Sequence, residues 1–305
     1  MPYSSENYLE AFGLADNQQE RFENLRHKGV FRYRVKTFKC GNLLECEIFP
    51  LWISRNDAAR AKRSKPSRLE QKNLNDKNSK KYIARLTNLN FDSRDIWFTG
   101  TFDDAHLPET DEQAHRNVAN YIKRLRYRRK LLSLPELRYI YTIEGRPEKD
   151  KNGKLILRYH VHIIMSGDLG RDEIEKLWSC GARREAHRLQ PDEFELTGLA
   201  RYIAKAQKKG RKRWGRSQNL KIPKPTIADC KVTKRQVEKI ARNESNAPTM
   251  FEKANTGYRF LDMKIQYSSF VPGAYVYVRM RKDSLKLPEK SYLKRCNADF
   301  AQAVI

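Results

Sequence analysis

Between Leu155 and Met165 the chain reads Leu-Ile-Leu-Arg-Tyr-His-Val-His-Ile-Ile-Met, a run that permits few folds. Successive side chains of a strand point to opposite faces, so Leu155, Leu157, Tyr159, Val161, Ile163 and Met165 form one apolar face. Arg158, His160 and His162 share the other. A strand patterned this way needs a core behind it and presents two imidazoles side by side in front. That is half of a metal site, although His-x-His on a strand reads equally as two half-exposed histidines.

The run just upstream, Arg138-Tyr-Ile-Tyr-Thr-Ile-Glu144, has Tyr139, Tyr141 and Ile143 on one face and Arg138, Thr142 and Glu144 on the other. The two runs flank a turn-like stretch from Gly145 to Gly153 and read as a hairpin. If both apolar faces bury in one core, Glu144 shares a face with His160 and His162. A two-residue turn at Asn152-Gly153 gives the opposite facing, so this placement requires a longer loop or a bulge. Two imidazoles and a carboxylate leave coordination positions open for a substrate oxygen and water. A phosphodiester substrate favours Mg2+ or Mn2+ as the ion.

Further along, Pro191 to Lys209 reads as a helix ending at Gly210. Residues three apart on a helix are neighbours, so Tyr202 and Lys205 can face one target. Alone, that pair reads more simply as a core tyrosine and a surface lysine. A phenol, with an ordinary pKa of about 10, needs a polarising cation nearby to act as a nucleophile at neutral pH. An earlier strand, Asp95 to Phe102, alternates Ile96, Phe98 and Phe102 with Trp97, Thr99 and Thr101.

Taken in chain order, Phe98-Thr-Gly-Thr-Phe102, the His160-Val-His162 strand preceded by Glu144, and the helix bearing Tyr202 and Lys205 resemble the three motifs of the HUH endonucleases. The likeness is to the single-tyrosine initiators of rolling-circle replication in small plasmids and single-stranded DNA phages. The motifs span Trp97 to Lys205, roughly a third of the chain. The lead-in from Arg63 to Asn75 and on to Asn90-Phe91 is similar to that of plasmid and prophage initiators of Gram-positive bacteria.

The resemblance implies a metal held by His160, His162 and Glu144, and attack by Tyr202 on a phosphodiester of single-stranded DNA at an origin. The products are a 5′-phosphotyrosine and a 3′-hydroxyl primer, with Lys205 orienting water or phosphate. Thr99, Thr101, Arg158, Arg201 and Trp214 are the expected DNA contacts. Two departures stand out. Gly100 occupies a position where the first motif often has a bulky apolar residue, and no second tyrosine follows Tyr202, so a two-nucleophile termination would need a second molecule. Relaxases and single-tyrosine transposases share this chemistry, and a non-catalytic nucleic-acid-binding module shares the sheet.

The expected fold is α+β, a ferredoxin-like, RRM-like antiparallel sheet with the nucleophile on an added helix. Its helices run Asp111–Leu132 and Arg171–Trp178, its fourth strand Gly181–Leu189, and Thr110-x-x-Gln113 is a capping box. Three segments follow: a basic N-terminal extension (1–94), the endonuclease domain (95–210), and a basic linker with a small C-terminal unit (211–305). The first is helix-leaning, with a short strand pair around Val30 to Ile53 and a helix start at Ser67-x-x-Glu70. The linker, Arg211 to Pro225, reads as an extended DNA-tracking segment with Trp214 either stacked on a base or buried. A helix from Thr233 to Arg242 and strands at Tyr258–Tyr267 and Ala274–Arg281 complete the chain.

Charge points the same way. Among 305 residues, 62 Lys and Arg face 37 Asp and Glu, a formal net charge of +25 that makes a polyanion the expected partner. Lys123, Arg124, Arg126, Arg128, Arg129 and Lys130 could track a DNA backbone or simply be solvated. No apolar run approaches the roughly 20 residues that span a bilayer, and the start of the chain lacks a signal-peptide pattern, so a cytoplasmic location is expected. Cys40, Cys46, Cys180, Cys230 and Cys296 form no C-x-x-C pair and read as reduced thiols. His187 is a remaining candidate for an extra ligand or DNA contact. No P-loop is present, so helicase and polymerase would come from the host.

Overall fold

A computed structural model describes residues 30–52, 68–145, 148–149, 155–204, 214–229, 231–242, 246–267 and 273–283. In the first half lie β1 (Val30–Cys40), β2 (Leu43–Trp52), α1 (Arg68–Asn90), β3 (Ile96–Thr101), α2 (Asp111–Leu131), β4 (Tyr139–Glu144) and β5 (Glu148–Lys149). Then come β6 (Leu155–Leu157), β7 (His160–Met165), α3 (Arg171–Lys176), β8 (Arg184–Arg188), α4 (Thr197–Ile203) and β9 (Gly215–Arg216). The last elements are β10 (Thr226–Asp229), α5 (Lys234–Ala241), α6 (Ala247–Ala254), β11 (Tyr258–Tyr267) and β12 (Ala274–Lys282). The fold is α+β, with two five-stranded antiparallel sheets among the described residues.

The first sheet has the order β8-β3-β7-β4-β9. Alternation dictates its two faces. Phe98, Ile143, Val161, Ile163 and Met165 pack with Val118, Tyr121, Ile122 and Leu125 of α2 and Ile174 of α3. Ile140 and Ile164, one residue out of phase, pack on the other face with Ile83 and Leu86 of α1 and Ile203 of α4. Gly100 has a packing reason: a Cβ there would lie 2.9 Å from the Trp178 indole, which fills the place of a bulky residue.

The single strand expected from Leu155 to Met165 is two strands. β6 leaves the sheet to pair with β5, and β7 begins at His160. Gly145 allows this departure, because it holds φ +81° and a Cβ there would lie 2.2 Å from the Arg158 carbonyl oxygen. The chain between β4 and β7 is therefore a long excursion, and β4 and β7 pair with Glu144 directly opposite His160.

The flanking segments pair with each other. The second sheet runs β10-β1-β2-β12-β11, so chain from both sides of the first sheet contributes strands to it. β1 and β2 lie within the span from Val30 to Ile53 where a strand pair was expected, and β2 pairs with β12 through Cys46 and Val278. One face packs Val35, Ile48, Val276 and Val278 against Val237 and Ile240 of α5 and Phe251 of α6.

α1 fits between the sheets by having two chemically different faces. Ile83 and Leu86 join the core beneath the first sheet, while Arg85 bonds Glu45 at 2.6 Å and Glu47 at 2.5 Å on β2. Lys81 also pairs with Glu47, at 2.6 Å. The expected linker, where described, joins the sheets at its two ends. β9 extends the first sheet beside β4, and β10 pairs with β1. Gly215 permits this, since a Cβ would meet the Tyr141 ring at 2.3 Å. Among the described residues no helix is long and apolar enough to cross a membrane. Cys40, Cys46 and Cys180 are buried free thiols, and Cys230 and Cys296 lie outside the described residues.

Candidate active site

Three adjacent strands place the candidate residues in rows across one face of the first sheet. Register sets Thr101, His160 and Glu144 opposite one another, and Thr99, His162 and Thr142 in the next row. Directly opposed residues of antiparallel strands project to the same face, so both histidines and the carboxylate share it. Ile164 and Ile140, one row further, belong to the core under α1 and α4, so the site lies at the margin of that core.

Thr99 and Thr101 hold the histidines. The Thr99 hydroxyl is 3.2 Å from His162 Nδ1, and the Thr101 hydroxyl is 3.1 Å from His160 Nδ1. In the tautomer whose Nδ1–H donates to the threonine, the Nε2 lone pair is left for another partner. These hydroxyls, expected to meet DNA, are thus engaged inside the protein. His162 is only 8% exposed, and burial, followed by the neighbouring His160, lowers its pKa to about 3. Burial also lowers that of His160, with the charges of Arg183 and Arg158 adding to the effect. Both imidazoles are neutral at neutral pH, the form that binds a cation.

Tyr202 arrives from α4. The helix expected from Pro191 to Lys209 begins only at Thr197, and residues 205–209 of it lie outside the described residues. Asp192 and Glu195 form a tight turn instead, with Glu195 at φ +55° and the Asp192 carboxylate accepting from the Phe194 amide. Arg281 of β12 pins this turn through the Asp192 carbonyl and the Glu195 carboxylate. Asn88 of α1 fixes the helix start, donating to the Thr197 hydroxyl and accepting from the Leu196 amide, both at 2.9 Å. From this short helix the Tyr202 hydroxyl donates to Glu144 Oε2 at 3.1 Å and lies 3.4 Å from His162 Nε2. Burial, then the Glu144 charge and its hydrogen bond, push the phenol up to about 12.

Trp97 completes the group and was not among the residues singled out from sequence. Its ring lies parallel to His162, with centroids 5.1 Å apart, and meets Tyr202 edge-on at 6.1 Å. The signal was available in the alternation of Trp97 with Thr99 and Thr101. Arg183, an exposed cation whose charge reaches His160, was also missed, because it precedes β8 and carries no motif.

The remaining expected contacts have varied surroundings. Arg158 precedes β7 and pairs with Asp104 at 2.6 Å, and its charge still reaches His160. Arg201 is exposed next to Tyr202. Trp214 is half-buried, stacked on Tyr82 with centroids 6.2 Å apart and packed against the core beneath α1. Lys205 lies outside the described residues. His187 sits opposite Trp97, one row beyond His162, and contacts Glu185 at 3.4 Å.

Among the described residues, no group of three or more His, Cys, Asp or Glu already stands at metal-cage spacing. In donor chemistry the set fits a divalent ion: two neutral imidazoles whose Nδ1 atoms are engaged, and a carboxylate 3.8 Å from His162 Nε2. Comparison with protein-family models, with curated proteins and with solved structures gave no match.

Proposed function

We propose that this protein is a metal-dependent DNA nicking and joining enzyme of the HUH type, acting as a rolling-circle replication initiator on single-stranded origin DNA. The observation that carries the reading is the meeting of the Tyr202 hydroxyl with Glu144 and His162, from elements separated by 58 and 40 residues in the chain. A core tyrosine has no need to end on a buried histidine and a carboxylate. Support for a ferredoxin-like core comes from strand order. In the sequence β3-α2-β4-β7-α3-β8 the sheet reads fourth, first, third, second, with α2 and α3 on one face.

His160, His162 and Glu144 would hold Mg2+ or Mn2+, which when bound polarises the scissile phosphate and lowers the cost of charge developing on it. The chain's own groups do the rest. Thr99 and Thr101 set the imidazole tautomers, and Trp97 holds His162 and Tyr202 in register. The Tyr202 oxygen attacks phosphorus as its proton leaves toward the Glu144 carboxylate, to which it is already hydrogen-bonded. The bond from phosphorus to the 3′-oxygen breaks, and that oxygen takes a proton to become the 3′-hydroxyl primer. Reversal, with a 3′-hydroxyl attacking the phosphotyrosine, rejoins the strand. Arg183 and Arg201, both exposed, would meet the phosphates, and host helicase and polymerase would extend the primer.

The test is incubation of the full chain with labelled single-stranded DNA tiles and Mn2+, followed by denaturing electrophoresis. Wild type is expected to carry the label and Tyr202→Phe to lose it while still binding DNA. Equal labelling of both proteins, or none of wild type on any tile from the element encoding it, would refute the proposal.

A further inference from the structure

The outer face of α2 carries a row of cations that the site does not use. No acidic residue occurs from Gln113 to Pro135, a stretch holding Arg116, Lys123, Arg124, Arg126, Arg128, Arg129 and Lys130. Four of these seven are engaged within the protein. Arg124 donates to the Leu177 carbonyl, Arg128 pairs with Glu173, and Arg129 bonds Asp168 and the Pro135 carbonyl. Arg126 lies over the Tyr139 ring.

Arg116, Lys123 and Lys130 remain, all exposed and spaced by seven residues. Seven residues are nearly two helical turns, so the three cations form one straight row with steps of about 10.5 Å. Tyr127, 66% exposed, lies beside that row between Lys123 and Lys130. α2 packs on the sheet through Val118, Tyr121, Ile122 and Leu125, on the face opposite the one that bears His162 and Thr99. This row is therefore separated from the candidate active site by the whole thickness of the sheet.

We infer that the row is a second DNA contact, one that holds duplex DNA by its phosphates while single-stranded DNA occupies the site on the far face. The shape favours a duplex. A rigid convex helix presenting cations at fixed pitch matches a regular phosphate backbone, and it has no concave groove with successive stacking rings for a flexible single strand. The inference adds a duplex grip to the nicking reading, and its evidence lies in α2 alone.

The test is a salt titration of duplex binding by the full chain, wild type against the triple variant R116Q/K123Q/K130Q, followed by fluorescence anisotropy. Three lost phosphate contacts reduce the slope of log K against log salt by about 2.7. Between about 50 and about 200 mM salt the wild type should then lose roughly 40-fold more affinity than the variant. Adduct formation on a short single strand should be unchanged. An unchanged duplex slope would overturn the inference, as would an equal loss on duplex and short single strand. If wild type forms no adduct, the nicking reading fails and the duplex slopes still decide this one.

Discussion

Replacing Thr99 by valine removes the hydroxyl beside His162 Nδ1 while keeping the shape of the side chain. The structure sets the size of the effect. His162 is 8% exposed and its ring is stacked on Trp97, so water has little room to replace the lost partner. An Nδ1–H left unsatisfied costs about 1–3 kcal/mol, and the ring can avoid that only by taking the tautomer that protonates Nε2. Either way, affinity for a cation at Nε2 should fall by roughly 10- to 100-fold. The neighbouring pair gives the control. His160 is only partly buried, so in Thr101→Val water can bond its Nδ1, and the loss should stay below about 10-fold. Thr99→Ser retains a hydroxyl and should recover most of the affinity. Calorimetric titration of each full-length variant with Mn2+, checked against its thermal melt, measures this directly. Wild-type affinity in Thr99→Val, or a larger loss in Thr101→Val, would show that the threonines do not set the imidazoles.

Trp97→Leu removes the ring that abuts both His162 and Tyr202, so single-turnover adduct formation should slow by about 10- to 100-fold through misplacement of the proposed nucleophile, Tyr202. Mn2+ affinity should change far less, and equal losses in both would mean that Trp97 serves the fold alone. Arg85→Met leaves the buried carboxylates of Glu45 and Glu47 without their shared partner and should cost about 3–5 kcal/mol in urea unfolding. A cost under about 1 kcal/mol would mean that the ionic contact between α1 and β2 is unimportant. In wild type, burial works to raise the Glu47 carboxyl, but Lys81 and Arg85 outweigh it and hold the group down to about 2. Because the folded value lies below the unfolded one, this stabilisation is present above about pH 4.3 and is lost as pH falls toward 2. Lys81, lowered to about 8 by burial, bonds Glu47 alone, whereas Arg85 bonds both carboxylates and so joins the whole contact. Lys81→Met should accordingly destabilise much less than Arg85→Met.

The site was legible in the sequence to the extent that strand alternation determines facing. His160 and His162 are two residues apart on one strand, and Trp97, Thr99 and Thr101 alternate on another, so each set had to share a face. Glu144 depended on what lay between the strands, and the long excursion that puts it opposite His160 rests on a close approach at Gly145 that spacing alone does not reveal. For Thr99 and Thr101, sequence shows that a hydroxyl points forward and not what stands beside it. The helix around Tyr202 was drawn too long, since helical periodicity continues through Pro191 to Leu196 although Arg281, distant in sequence, pins those residues in a turn. For the same reason the flanks looked separate. Strands whose partners lie more than two hundred residues away, such as Ile48 opposite Val276, carry no local mark of that pairing.

These long-range pairings bear on the chemistry as well as on the fold. α4 has only seven residues, too short to hold a fixed orientation by its own hydrogen bonds. Its position comes from outside: Asn88 of α1 at its first turn, Arg281 of β12 at the turn before it, and Ile203 in the core shared with Ile83 and Leu86. α1 is in turn tied to β2 through Arg85, and β2 to β12 by strand pairing. The tyrosine hydroxyl is thus placed against Glu144 and His162 by a chain of contacts running through the second sheet. On this view the flanking strands act as the mount of the proposed nucleophile, and separating residues 95–210 from them would leave the histidine strands paired while removing what aims Tyr202.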